Sequence, residues 1–179
     1  LVHYGIAIKQ RSLEELIDLT GMLSDNFSLY FYLLKTDEKY YQKLVRYASA
    51  VAPNRVHFHA PIDPNEIAKT INAYDIGIHI LQGSNLNHLN ALPNKLFEFI
   101  MAGLCVAAYP LPIMAKLIKQ NNIGVVSSSE NVKSMAKALN KLSMSEIEQY
   151  KKNSIQLAKD LNAEAEGEKL RNIYQSLLS

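Results

Sequence analysis

The chain has 179 residues, of which 48% are hydrophobic and 20% are charged, a composition typical of one folded domain with its own core. Its formal charge of +2 is too small to predict a nucleic-acid-binding surface or a polybasic membrane-binding patch. No apolar run approaches the roughly 20 residues that cross a bilayer. The single cysteine, Cys105, lies in an apolar run, which excludes a disulfide framework and predicts an inert thiol in a reducing cytoplasm.

The first half of the chain alternates apolar strands with helical periods. The chain begins directly with a buried strand at residues 1–8 and has no initiator methionine, so we interpret it as a fragment of a longer protein. Ser12 and Glu15 then match a capping box that opens the first helix. Two strands at 27–34 and 56–60 flank a helix at 39–50, and Asp63 is the predicted N-cap before a helix at 65–74.

The second half continues the same alternation. A fourth strand at 76–81 is followed by a polar loop at 82–92 and by a helix that Pro93 opens. The remaining predicted elements are a strand at 105–109, a helix at 112–121, a strand at 123–126 and three closing helices at 132–142, 145–161 and 164–178.

This order predicts an α/β fold with a Rossmann-like, doubly wound parallel sheet of about six strands. Right-handed connections favour the strand order 3-2-1-4-5-6. Such sheets bind ligands at the carboxyl ends of strands one and four, which singles out residues 9–11 and 82–95. We interpret residues 1–179 as one ligand-binding domain that includes the closing helices from about residue 145 onwards.

The strongest local signal lies between residues 92 and 106. Pro93, Asn94 and Lys95 form the first turn of a helix, where free backbone N–H groups and the helix dipole favour an anion. Lys95 adds a full positive charge. Glu98, one turn further on, can accept hydrogen bonds from the paired hydroxyls of a ribose. A diphosphate beside a ribose is therefore a chemically sensible ligand.

This stretch resembles the Pro-x-Lys-x-x-Glu-x-x-x-x-Gly-x-x-Val signature of retaining group-1 glycosyltransferases with the GT-B fold. The resemblance covers nearly the whole chain and implies the C-terminal, donor-binding half of such an enzyme. It implies that Glu98 binds the donor ribose. Asn90 stands where the family has a glutamate that contacts the hydroxyls of the donor sugar, and Ala91-Leu92-Pro93 replaces a glycine-rich connection.

The resemblance extends to two further loops. After strand one the family has Gly-Arg and then a lysine. In this chain Ile6 follows Gly5, so the family's arginine is missing. Arg11 stands close to the position of the family's lysine, and Lys9 supplies a second positive charge. The turn after strand three implies that Ile62 contacts the nucleotide base. The implied donor-binding residues are thus Lys9, Arg11, Ile62, Asn90, Asn94, Lys95, Leu96 and Glu98, with Arg11 and Lys95 as candidates to stabilise transition-state charge.

By resemblance, the full-length protein would transfer a sugar from a nucleoside-diphosphate sugar to a glycan or lipid-linked acceptor at the cytoplasmic face of the membrane. No metal is expected, because protein cations and a helix end would face the diphosphate. The acceptor domain would precede this one in the same polypeptide, and this domain alone would be inactive. Asn90 and Ile6 keep a non-catalytic binding subunit as an alternative, and a sugar-nucleotide epimerase is another. The absence of Gly-x-Gly-x-x-Gly after strand one disfavours a dinucleotide-dependent oxidoreductase.

The histidines have less specific interpretations. His57 and His59 share a strand face but lack a third metal ligand at suitable spacing, which favours a structural role. His3 and His79 are predicted to be hydrogen-bonded core or strand-end residues. His88, in the polar loop, is predicted to lie on the surface.

Overall fold

The computed structural model describes residues 1–80, 82–83, 89–90 and 92–178. These residues contain one six-stranded parallel sheet with the order β3-β2-β1-β4-β5-β6, which confirms the predicted topology. The strands are β1 (Val2–Ile6), β2 (Leu29–Leu34), β3 (Val56–His59), β4 (Ile76–His79), β5 (Cys105–Ala108) and β6 (Gly124–Val126).

Helices follow the strands as the sequence predicts, within a few residues at each end. They are α1 (Leu13–Met22), α2 (Glu38–Val51), α3 (Ile67–Ile71), α4 (Asn94–Met101), α5 (Pro112–Gln120), α6 (Val132–Leu139), α7 (Met144–Ala158) and α8 (Ala163–Leu178). Two short 3₁₀ turns, Lys9–Arg11 and Pro64–Glu66, precede α1 and α3. None of the helices in the described part of the chain is long and apolar enough to cross a membrane.

The predicted capping box at Ser12 is wrong. The 3₁₀ turn before α1 leaves Ser12 in a left-handed conformation (φ 46°), and its side chain makes no cap hydrogen bond. An N-cap normally has an extended backbone, which aims its side chain at the first helical turn. The capping box is instead at α7, where the Ser143 hydroxyl accepts from the Glu146 N–H and the Glu146 carboxylate accepts from the Ser143 N–H.

The helix predicted at 65–74 is shorter than expected. Asp63 acts as a cap, as predicted, but its side chain accepts from Asn65 N at 2.8 Å and opens only the 3₁₀ turn. The α-helical hydrogen bonds of α3 begin after that turn, at Ile67.

The sheet has an apolar core on each face. One core contains Phe31, Leu33 and Ile78 from the strands and packs against α1, α2 and α6. The other contains Val2 and Val106 and packs against α3, α4 and α5. Strands buried on both faces are apolar at nearly every position, and this explains the unbroken apolar runs of the sequence.

Helix α4 lies directly on β4 because Gly77 has no side chain. A Cβ at Gly77 would stand only 2.3 Å from Cγ of the buried Phe99. Gly103, at φ +68°, ends the helix in a Schellman motif: its N–H donates to Ile100 O and the N–H of Leu104 donates to Phe99 O. These contacts hold the first turn of α4 at the carboxyl edge of the sheet.

Candidate functional site

A cavity of about 440 Å³ opens at the carboxyl ends of β1 and β4, where the winding of the sheet reverses. Doubly wound sheets bind their ligands at this point. The cavity is lined by His3, Tyr4, Gly5, Ile6, Arg11, His79, Pro93, Asn94, Lys95 and Glu98.

Four of the predicted donor-binding residues come together in this cavity. Arg11 reaches it from the 3₁₀ turn after β1. Asn94, Lys95 and Glu98 reach it from the first two turns of α4. The two segments lie 83 positions apart in the chain, from Arg11 to Asn94, and the sheet topology brings them to one edge.

The other predicted residues lie elsewhere. Lys9 is exposed in the same 3₁₀ turn as Arg11 but does not line the cavity. Leu96 is 1% exposed and packs in the core, so its side chain is turned away from the opening. Ile62 is half-buried against the same core, after β3, and Asn90 is exposed in a turn before α4.

Lys95 is the central cation of the cavity. Its Nζ lies 3.4 Å from His3 Nε2 and 4.9 Å from the centre of the Tyr4 ring. Burial lowers the pKa of Lys95 from 10.5 to about 7, and the charge of Arg11 contributes to this shift. In the described part of the chain, no carboxylate forms an ion pair with Lys95. An anion that enters the cavity therefore meets an uncompensated ammonium group.

His3 holds Lys95 in place. His3 Nδ1 lies 3.0 Å from the carbonyl of Ile78, so Nδ1 carries the proton and donates to that oxygen. Nε2 is then free to accept a hydrogen bond from Lys95. Burial and the charge of Lys95 keep the pKa of His3 well below its usual value, which leaves the ring neutral. The prediction that His3 is hydrogen-bonded is confirmed, but its contact with Lys95 was not foreseen.

His79 does not behave as predicted. It is the last residue of β4 and only 7% exposed, yet neither Nδ1 nor Nε2 has a hydrogen-bond partner among the described residues. The prediction that this residue is hydrogen-bonded is therefore wrong: its ring lines the cavity at the carboxyl end of β4, where no described side chain or carbonyl reaches it. Burial lowers the pKa of His79 to about 3, with smaller contributions from Lys95 and Arg11. The ring is neutral at physiological pH.

Glu98 supplies the acidic side of the cavity. It is half-buried in the second turn of α4, and burial raises its pKa above the usual value. The first turn of α4 begins after Pro93, which makes no side-chain cap. The cavity thus combines two cations, the amino end of a helix and one carboxylate, groups that can bind a phosphate and a vicinal diol.

Two residues after β4, Gln82 and Gly83, are held by carboxylates, a role that the sequence did not predict for either acid. Glu15 of α1 accepts from Gln82 Nε2 at 2.7 Å and from the Tyr109 hydroxyl at 3.3 Å. Glu130 accepts from Gly83 N at 2.6 Å. These contacts fix residues 82 and 83 beside α1 and the segment after β6.

The remaining histidines stack on tyrosines. His57 stacks on Tyr30 with ring centres 4.6 Å apart, and His59 stacks on Tyr32 at 4.9 Å, contacts that fit the predicted structural role. Among the described residues, no group of three or more His, Cys, Asp or Glu side chains is arranged to hold a metal ion. His88 lies outside the described residues. Cys105 is buried, and burial raises the pKa of its thiol to about 12, as expected of an inert cysteine.

Comparisons with known proteins agree with this architecture. The family model described as "Glycosyl transferases group 1" matches residues 2–162. A search of curated protein sequences found no significant match.

Several solved structures share the fold. HepE from Anabaena, in complex with UDP, is 15% identical, with a TM-score of 0.77 over 98% of this chain and 48% of that one. WaaG, a glycosyltransferase of lipopolysaccharide biosynthesis, is 17% identical, with a TM-score of 0.69 over 96% of this chain and 46% of that one. The C-terminal domain of LpcC from Francisella tularensis is 16% identical, with a TM-score of 0.68 over 89% of this chain and 84% of that domain. The chain therefore spans about half the length of WaaG and HepE.

Proposed function

Because the chain belongs to the group 1 glycosyl transferases, we propose that it binds the donor of an enzyme that transfers a sugar from a nucleoside-diphosphate sugar to a glycan or lipid-linked acceptor. The observation that carries this proposal is the convergence of Arg11, Lys95 and Glu98 on one cavity at the switch point of the sheet. Two cations and a carboxylate in that arrangement complement a diphosphate and a ribose.

The diphosphate would bind at the first turn of α4. Lys95 supplies an ammonium group there that no carboxylate among the described residues neutralises, and Arg11 lines the same cavity, close enough to lower the pKa of Lys95. The backbone N–H groups of Asn94 and Lys95 lie at the positive end of the helix dipole. Lys9, in the same 3₁₀ turn as Arg11, adds positive charge outside the cavity.

The other donor groups would bind around this anion site. Glu98 would accept hydrogen bonds from the two ribose hydroxyls. Asn90 would contact the sugar. Ile62, which lies in the turn after β3, would contact the base. The side chain of Leu96 anchors α4 in the core, so any contribution of this residue to binding comes from its backbone.

The chemistry that we propose for the full-length enzyme uses protein charges in place of a metal ion. When the sugar–phosphate bond breaks, negative charge grows on the departing diphosphate. Arg11 and Lys95 would stabilise that charge, and transfer would then be insensitive to a metal chelator such as EDTA. HepE is seen in complex with UDP and with UDP-glucose, which supports testing uridine nucleotides first.

An acceptor domain in the same polypeptide would complete the active site. The chain spans about half of WaaG and HepE. Helix α8 also exposes an apolar stripe at positions i, i+3, i+4 and i+7: Leu170 is 55% exposed, Ile173 56%, Tyr174 61% and Leu177 76%. We propose that the acceptor domain covers this stripe, that the present domain alone binds nucleotide without turnover, and that the enzyme acts in the cytoplasm at the membrane face.

The donor-binding proposal is tested by titrating the chain with UDP, GDP and ADP while backbone NMR shifts are followed. We expect shifts at Arg11, Lys95 and Glu98 with at least one nucleotide. Glu98→Ala should weaken binding of that nucleotide about tenfold or more, since the ribose hydroxyls lose a charged acceptor. Glu148→Ala, which removes an exposed carboxylate from α7, is the matched control and should bind normally. The absence of shifts with all three nucleotides would reject the proposal.

One observation keeps a second function open. Asn90, in place of a glutamate, is an amide that cannot supply a negative charge to the donor sugar, which favours a non-catalytic subunit that binds nucleotide sugars. Sugar transfer by the full-length protein would exclude that alternative. Donor turnover without an acceptor would instead indicate an epimerase, and product analysis distinguishes the two.

A further inference from the structure

We propose that His79 is a further ligand-binding residue of the cavity, whose imidazole N–H donates a hydrogen bond to an oxygen of the bound diphosphate. This inference rests on the proposed function, because it assumes that the cavity binds a nucleoside diphosphate. It adds a residue that neither the sequence motif nor the spacing of the family signature singles out.

The first observation is the unpaired state of a buried polar ring. His79 is 7% exposed, both of its ring nitrogens are shielded from solvent, and no group in residues 1–80, 82–83, 89–90 or 92–178 forms a hydrogen bond with either nitrogen. Burying a polar group without a partner is costly, and native structures rarely leave one so without a functional reason. A leucine at the last position of β4 would fill this place without that cost, so packing does not explain a histidine here.

The second observation is that His3, a histidine equally buried at the same cavity, does form hydrogen bonds. The two histidines are equally exposed, at 7%, and line the same cavity from adjacent strands. His3 uses both nitrogens, one toward the carbonyl of Ile78 and the other toward Lys95. Burial at this edge of the sheet therefore does not prevent hydrogen bonding, but the described residues supply no partner to His79.

The third observation is the charge around His79. Lys95 and Arg11 both lie close enough to lower its pKa, and both line the cavity. An anion held between these cations would stand beside the imidazole. The cavity, at about 440 Å³, has room for a diphosphate. A neutral N–H donor adds a hydrogen bond at this point without a third positive charge that would repel Lys95 and Arg11.

The test compares stability with binding in three variants. His79→Leu removes the unpaired nitrogens, so it should unfold at the same temperature as the parent chain or at a higher one. It should nevertheless bind UDP, or whichever of GDP and ADP binds in the titration above, about tenfold or more weakly, the effect of losing a hydrogen bond to a charged group. His79→Gln, which keeps an N–H donor, should recover part of that loss. The control His57→Leu, on β3, should leave nucleotide affinity unchanged.

The results distinguish a failure of the proposed function from a failure of the role proposed for His79. If no nucleotide binds the parent chain, the proposed function itself is rejected. If the parent binds but His79→Leu binds equally well, or is clearly less stable, then His79 is a structural residue and only this inference fails. The unphosphorylated nucleoside of the same base should bind both chains alike. An equal loss with that nucleoside would place the contact away from the diphosphate and overturn the assignment.

Discussion

At the scale of single residues, burial has placed Lys95 close to losing its proton. Its pKa is lowered to about 7 by desolvation and by Arg11, so the ammonium form dominates below pH 7 and is lost above it. On the proposed function, a bound diphosphate would stabilise the ammonium and raise this pKa again. Binding would then take up a proton, and nucleotide affinity should fall as the pH rises through 7.

We expect the affinity of the chain for UDP to fall about tenfold or more between pH 7 and pH 9. The phosphates of the nucleotide are almost fully ionised throughout this window, since the last phosphate ionisation lies near pH 6. Isothermal titration calorimetry in buffers with different ionisation enthalpies would detect the proton uptake directly, because the observed binding enthalpy would then depend on the buffer. Lys95→Arg, which stays charged, should bind with a flat profile over the same range, and the exposed control Lys152→Met should keep the sloping profile of the parent. A flat profile in the parent chain would contradict the role of Lys95.

The same residues show how far a sequence can predict this site. Lys95 and Glu98 are recognisable because their spacing on one helix start belongs to a longer pattern, and Arg11 because it follows strand one. His3 and His79 stand alone in apolar strands, so no spacing marks them. Whether a buried histidine finds a partner depends on the strand beside it, as the contact from His3 to Ile78 shows, and that is a property of the folded chain.

At the scale of elements, α4 positions the site, and its placement depends on Gly77. The start of α4 directly after Pro93 and its end shortly before Gly103 follow from local preferences of proline and glycine and were predictable. The 3₁₀ turn before α1 could not be predicted from the sequence. Ser12 and Glu15 match a capping box locally, but the chain that leaves β1 places Ser12 in a left-handed conformation, which prevents that cap.

Gly77→Ala should destabilise the chain, because its Cβ would overlap the buried ring of Phe99 at 2.3 Å. Forcing extra volume into a packed core costs roughly 1–3 kcal/mol. The loss should appear as a lower free energy of unfolding in urea, together with weaker nucleotide binding as α4 is displaced. Gly77→Ala combined with Phe99→Leu should be less destabilised than the sum of the two single variants. The control is Gly167→Ala in α8, where an added Cβ meets nothing within 4 Å. A fully additive double variant would show that the ring of Phe99 is not what excludes a side chain at position 77.

At the scale of the whole molecule, the alternation of strands and helices was enough to predict the six-stranded order, since right-handed connections leave few topologies for parallel strands. The alternation says less about what lies outside the domain. Helix α8 carries its apolar residues at helical spacing, a pattern typical of a helix packed on a core, yet Leu170, Ile173 and Leu177 are exposed here. The spacing therefore predicts a buried face, and the described domain does not bury it.

If the acceptor domain covers the apolar face of α8, substitutions on that face should destabilise only the longer protein. Ile173→Ser should change the free energy of unfolding of the 179-residue chain by less than about 0.5 kcal/mol, as exposed positions usually do. In the full-length protein the same change should lower the free energy of unfolding by about 1.5 kcal/mol or more, the value of burying such a side chain. It should also lower the rate of sugar transfer, because it weakens the contact between the two domains. Arg171→Ser, an exposed polar position on the same helix, is the control and should have little effect in either length. Thermal and urea unfolding of both lengths would measure the difference. An equally small effect of Ile173→Ser in both would mean that the acceptor domain docks elsewhere, and the stripe on α8 would then need another partner.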